Sequence, residues 1–257
     1  MNKGAKIYIT ILSIITVIAV LVGIYIHVFR GFSSGRTRTV EGKQSLEGRI
    51  TDIEVENDAA DITIDYGDEL AVSYNLPEKE IPVISLKDGK LSIKNTKHKW
   101  YDSTALTLGN LNRYISITIP RNSEISKISA VADAGNINIY NITAKKLSVI
   151  TDAGNISLKD TKLTDTKIEV DAGNVKMDDS ETDTFKVDVD AGNITLNSVI
   201  IQDIDAELDA GNIKAKDSTI RKGRIETDFG NIVLNGDIGD VKTKTDAGNI
   251  EVNDSND

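Results

Sequence analysis

One five-residue phrase, Asp-Ala-Gly-Asn-Ile, returns seven times in the second half of the chain, and its spacing leaves few folds open. The copies begin at Asp133, Asp152, Asp171, Asp190, Asp209, Asp228 and Asp246, at intervals of 19 residues and, for the last, 18. Only Val175, in place of Ile, and Phe229, in place of Ala, depart from the phrase. A fixed period of about 20 residues marks one supersecondary unit stacked on itself.

Numbering each unit from its Asp exposes the columns. Position 5 holds Ile137, Ile156, Val175, Ile194, Ile213, Ile232 and Ile250; position 7 holds Ile139, Leu158, Met177, Leu196, Ala215, Leu234 and Val252. Position 17 is also apolar (Val149, Ile168, Val187, Ala206, Ile225), and position 12 adds Ala144, Leu163, Ile201 and Ile220. Positions 6, 16 and 18 are mostly polar. The alternation predicts two short strands per unit, near positions 4–8 and 15–19. A helix of about 10 residues has no room beside them. The predicted fold is all-β: a parallel β-solenoid in which each strand stacks on its equivalent one unit later, at about 4.8 Å.

The corner residues suit that geometry. Gly permits a sharp bend, Ala is small, Asn can pair its amide with the Asn above, and Asp can accept N–H groups of its own turn. The structural reading of the corner is preferred. Its alternative is a calcium column, since stacked carboxylates repel one another and a hard cation with oxygen ligands would relieve them. Positions 16 and 18 pair Lys167 with Glu169 and Lys186 with Asp188 in a mixed-charge outer face.

Before the repeats, residues 46–132 show the strand period in short runs such as Ile53 and Val55, Ile62 and Ile64, and Ile115, Ile117 and Ile119. Turn signals and all three prolines separate or end these runs. Asp58-Ala59-Ala60-Asp61-Ile62 resembles a worn copy of the phrase, so this region is expected to continue the solenoid and close its first end. Residues 97–112, with His98, Trp100 and Tyr101, break the pattern; the preferred reading is a loop whose aromatics pack on the open end of the stack, and its alternative is a projecting loop that contacts a ligand. The polar tail from Asn253 to Asp257 suits a cap at the other end.

From Ile7 to Phe29 no residue carries a formal charge. At about 1.5 Å per residue this run covers the ~30 Å hydrocarbon layer. We expect an uncleaved single-pass anchor with its short flank in residues 1–30, a flexible stalk in 31–45 and the repeat solenoid in 133–257. The net charge is −10. Because residues 1–43 hold six Lys/Arg against one Glu, the remainder stands at −15. That acidic body argues against nucleic acid as a partner. Lys and Arg flanking the run favour the body inside the cell, whereas its composition favours the outside, which is the expected side. There is no Cys, and the sequence carries no recognisable nucleophile–base pair, phosphate loop or metal-ligand spacing. No catalytic, cofactor-binding or metal residue is assigned, and an enzyme is not expected.

The run Ile115-Ser-Ile-Thr-Ile-Pro120 followed by recurring Asp-x-Gly-Asn-Ile resembles the bacterial "putative adhesin" β-strand repeat domain of unknown function. With the N-terminal run it is similar to LiaG-like membrane proteins of the cell envelope. The resemblance covers residues 46–254 and implies a surface β-solenoid without known catalysis. Two functions follow as expectations. The first is a membrane-anchored extracytoplasmic binding, adhesin-like or envelope-stress module, with an envelope polymer or protein as its partner. The second is a polymerising scaffold on the cytoplasmic face, similar to bactofilins.

Overall fold

A computed structural model describes residues 39–95 and 112–255. The expected membrane span at 7–29 and the loop bearing His98, Trp100 and Tyr101 lie outside the described residues. Ahead of the repeats come β1 (Thr39–Ser45), β2 (Asp52–Ala59), β3 (Asp61–Gly67), β4 (Ala71–Pro77), β5 (Val83–Lys87), β6 (Lys90–Lys94) and β7 (Tyr114–Pro120). The repeats supply long strands followed by short ones: β8 (Ile125–Ala134) and β9 (Ile137–Tyr140), β10 (Thr143–Ala153) and β11 (Ile156–Lys159), β12 (Lys162–Ala172) and β13 (Val175–Asp178). β14 (Glu181–Ala191) and β15 (Ile194–Asn197) continue the series. It ends with β16 (Ile200–Ala210), β17 (Ile213–Phe229), β18 (Ile232–Ala247) and β19 (Ile250–Asp254).

The stacking is parallel and in register. Ile156 pairs with Val175, Val175 with Ile194, and Ile194 with Ile213. On the long strands, Val149 pairs with Ile168 and Ile168 with Val187. The rung nevertheless differs from the expected two short strands. The long strand runs from position 11 into the Ala of the next corner, and its burial alternation slips where two successive exposed residues stand at positions 13 and 14. The strand turns there, so each rung has three sides. Positions 10, 15 and 19 consequently also face inward, as Val199, Phe185 and Val189 do. Phe185, 1% exposed, is one of the largest fully buried side chains, and burying such a group contributes about 1.5–3 kcal/mol.

The worn copy lies where the phrase would put it. Ala59 stands on Ala134 and Ile62 on Ile137, so β2 and β3 form a rung beneath β8 and β9. β6 and β7 stack on that rung in parallel. The direction then reverses: β4 pairs antiparallel with β7, β1 with β4, and β5 with β6. These strands, β1 among them, close the first end. The expected stalk is corrected over its second half, because Thr39–Ser45 is β1, paired residue by residue with β4. The expected terminal cap is corrected too: Asn253 and Asp254 belong to β19 and pair with Asn235 and Gly236.

The single residue lost before Asp246 is missing from the second corner, where Ala215 faces Leu234 but Ser218 already faces Gly236. In five earlier rungs that corner is made by a left-handed residue at position 9: Asn141, Asp160, Asp179, Ser198 and Asp217, with φ between 49° and 59°. Asn and Asp tolerate this region better than other non-glycine residues.

Candidate functional site

The Asp-Ala-Gly-Asn corner is held by its Asn and its Gly. Asn155 donates both its backbone N–H and its Nδ2–H to Oδ1 of Asn136, each at 3.0 Å. The same double bond repeats at Asn174, Asn193, Asn212 and Asn231, with distances of 2.9–3.2 Å. The ladder is directional, so its first member need only accept. That member is Asp61, whose carboxylate receives the N–H and Nδ2–H of Asn136 at 2.8 and 3.0 Å. An acceptor-only side chain therefore starts a column of amides. Gly is required by proximity: a Cβ on Gly211 would lie 1.5 Å from the carbonyl oxygen of Gly192.

The Asp of the corner does not play its expected part. Among the described residues, the column from Asp133 to Asp228 accepts no backbone hydrogen bond. Partial burial, followed by the charges of Asp58, Asp152 and Glu56, raises the Asp133 carboxyl above its usual range. Asp188, at position 18 beside the column, is raised by burial and by Glu207, Asp190, Asp209 and Glu169. No grouping of three or more metal-ligating side chains occurs among the described residues. Of the expected ion pairs, Lys167–Glu169 forms at 2.5 Å. Lys186 instead reaches across the rungs to Asp205 at 3.3 Å, because its equivalent one rung later is an acid. Arg224 also contacts Asp205, at 3.0 Å, along with Glu207 and Glu226. Burial opposes ionisation of Asp205, but its bonds to Arg224 and Lys186 outweigh that and lower its pKa.

A concave feature appears on a different side, at the turn within the long strands. A groove with a volume of about 610 Å³ runs along the stack there. Its floor is column 12 and its predecessor, Ile125, Ala144, Leu163 and Thr182, each at most 7% exposed. One wall is column 11, from Thr143 through Lys162 and Glu181 to Ile200; the other is column 13, from Lys145 through Thr164 and Asp183 to Gln202. Arg49, Thr51 and Ser123–Ser126 close the end nearest the first rungs. Five successive levels at ~4.8 Å make a trough about 19 Å long. Arg49, Lys145 and Lys162 balance Glu124, Glu181 and Asp183, so the groove is neutral within an acidic body. Lys162 meets Glu181 and Arg49 meets Glu124, both at 3.5 Å. Ile200, 42% exposed, adds an apolar contact at the far end.

This groove is not legible in the sequence periodicity. It depends on the phase slip at positions 13 and 14 and on residues 123–126 falling on the same side. The signal is the doublet of polar residues, Lys145-Lys146, Thr164-Asp165, Asp183-Thr184 and Gln202-Asp203, that interrupts the alternation in four successive rungs.

The architecture is that of a parallel β-solenoid built on stacked Asp-Ala-Gly-Asn corners, its first end closed by antiparallel strands. Residues 50–254 match the family model Toastrack DUF4097, and the chain belongs to that family. Two solved structures share the fold. One is a Parabacteroides merdae protein described as a "putative adhesin", 14% identical, with a TM-score of 0.51 over 85% of this chain and 98% of its own. The other is a Parabacteroides distasonis protein with the same description, 15% identical, with a TM-score of 0.51 over 84% and 98%. A Bacteroides fragilis protein, also described as a "putative adhesin", is 17% identical over 83% of this chain and 96% of its own, with a TM-score of 0.46. No curated protein matches the chain.

Proposed function

We propose that this chain is a non-catalytic binding module of the adhesin-like kind, displayed outside the cell membrane by a single N-terminal span, and that its groove takes an extended envelope polymer or peptide. The observation that carries the reading is the groove itself: a neutral trough of about 19 Å with a mainly apolar floor and charges of both signs on its walls. Its linear form fits a chain better than a compact small molecule, and its neutrality spares an anionic polymer the repulsion of the surrounding acidic surface. The description of the structural neighbours as "putative adhesins" agrees with a binding role. The uncharged run from Ile7 to Phe29 supports the anchor.

The test has two arms. Protease treatment of intact cells should release the body, and full protection would overturn the exterior placement. Purified chain should co-sediment with insoluble cell-wall sacculi, and Lys145→Glu with Lys162→Glu should weaken that binding by about tenfold. Absence of sedimentation, or equal sedimentation of the wild type and the double variant, would overturn the role of the groove.

A further inference from the structure

The charges of the groove are sorted along its length. Arg49 meets Glu124 at the first end and Lys162 meets Glu181 further on, both at 3.5 Å. Three exposed lysines on β8 and β10 are left over. Lys145 stands on the wall of column 13, Lys146 follows it around the turn, and Lys127 is the register partner of Lys146 one rung earlier. None of the three makes an ion pair among the described residues. Asp165 is the register partner of Lys146 one rung on, and its carboxylate accepts the Thr184 hydroxyl at 2.8 Å. Two rungs beyond Lys145 the same wall carries Asp183, which also has no cationic partner among the described residues, and Glu181 stands on the facing wall. The first rungs of the groove therefore present cations and β14 presents anions, about 10–14 Å apart at ~4.8 Å per rung. Lys127 and Lys146, stacked at that spacing, repel each other until an anionic group lies over them.

We propose that the groove takes an extended peptide segment carrying a carboxylate and, three or four residues away, an amine or guanidinium. The carboxylate lies over Lys145 and Lys146, and the cation meets Asp183 and Glu181. This rests on the groove reading above and gives its ligand a class and a direction. An extended peptide rises about 3.3 Å per residue, so charges three or four residues apart span about 10–13 Å, which matches the separation of the two sets. Between them, alternate side chains of the peptide face the floor at Ala144 and Leu163. The hydroxyls of Thr143 and Thr164 stand one on each wall and make no hydrogen bond among the described residues, so they are available to its peptide groups.

Charge complementarity favours this occupant over the two others that fit an elongated trough. A polyanion would lie partly against Asp183 and Glu181. A neutral glycan would use neither set of charges, and among the described residues no aromatic side chain lines the groove for sugar rings to stack on.

Fluorescence anisotropy with the full chain in detergent tests this with three labelled probes: acetyl-Glu-Val-Thr-Val-Lys-amide, its uncharged analogue with Gln at both ends, and polyglutamate. The charged pentapeptide should bind about tenfold tighter than the uncharged one, as two exposed ion pairs allow, and the advantage should fade at high salt. Lys145→Glu and Asp183→Lys should each abolish the advantage and leave the uncharged peptide's affinity unchanged. Both residues are exposed, so neither change disturbs the core. Lys242→Glu, on β18 and outside the groove, alters the net charge as Lys145→Glu does and should affect neither peptide. Equal binding of the two pentapeptides would overturn the proposal while leaving the groove reading intact. Tighter binding of polyglutamate than of the charged pentapeptide would overturn it in favour of an anionic polymer. A preference for the charged pentapeptide that survives both groove substitutions would put its site elsewhere and overturn it too. Failure to bind any of the three probes would also overturn it, and sedimentation with sacculi then decides separately whether the groove reading falls as well.

Discussion

Replacing Gly211 by alanine tests how tightly the rungs close. The new Cβ would stand 1.5 Å from the carbonyl oxygen of Gly192 and 2.7 Å from its carbon. Relieving that contact requires the corners to part by more than about 1.5 Å, against a rung spacing of ~4.8 Å. Four bonds span this gap. Gly192 N–H donates to Ala210 O and Ile194 N–H to Asn212 O, both at 3.0 Å. Asn212 donates its backbone N–H and Nδ2–H to Asn193 Oδ1 at 3.1 and 3.2 Å. At about 1 kcal/mol each, their loss costs about 4 kcal/mol. Gly211 has φ of 145°, which adds about 1 kcal/mol for a side-chain-bearing residue. Partial relaxation of the corner leaves about 3–5 kcal/mol, among the largest effects of a single substitution. For a body of this size that is a fall of about 10 °C or more in the thermal midpoint, followed by circular dichroism of the β-sheet band. Ala60→Gly is the control. Ala60 holds the glycine position at the first corner of the column, and the change should cost no more than about 1 kcal/mol. A Gly211→Ala midpoint within 2 °C or so of wild type would refute the argument from close stacking.

Other consequences can be checked in the same assay. Asn174→Ala removes the acceptor of two bonds and the donor of a third, and should cost about 2–3 kcal/mol, whereas Asp61→Asn keeps the only function used there and should be nearly neutral. Phe185→Ala empties the largest site in its column and should cost about 3–5 kcal/mol. Asp188 is raised in the folded state by burial and then by its acidic neighbours. Its charged form therefore costs stability above the folded pKa, and that cost is relieved as the pH falls through that pKa. Asp188→Asn should accordingly raise the midpoint at neutral pH, with the advantage shrinking as the medium becomes acidic through the carboxylate range. A constant advantage across that range would contradict the assignment. Asp179→Val should destabilise by about 1–2 kcal/mol, since its φ of 49° disfavours a β-branched side chain, and Asp179→Gly should not.

Much of the fold was legible because periodicity is a long-range constraint written locally. Once Ile156, Val175 and Ile194 share a column, parallel in-register stacking follows without knowledge of any single rung. The worn phrase at Asp58 extended that register into the first half, where Ile62 does sit on Ile137. The shape of the rung was not legible to the same degree. Alternation reveals which residues point inward but not where the chain turns, and the turn in each long strand is marked only by two adjacent polar residues such as Asp183 and Thr184. The groove forms at that turn, so it was missed with it. Of the two expected ion pairs Lys167–Glu169 forms, and the other fails for a related reason: Lys186 has Asp188 on its own strand, but a neighbour ~4.8 Å away on the next rung, Asp205, competes successfully. The Asp column was misread because its backbone-capping role is performed by the Asn three residues later.

The central claim is that residues 19 apart lie on adjacent rungs, and engineered cysteines measure this directly in a chain that has none of its own. Ser157 and Lys176 are register partners on β11 and β13, at a spacing of ~4.8 Å that falls within disulfide range. Ser157→Cys with Lys176→Cys should close rapidly and completely under mild oxidation. Ser157→Cys with Thr195→Cys, two rungs apart, should stay reduced. Equal closure of both pairs, or of neither, would contradict the stacked solenoid.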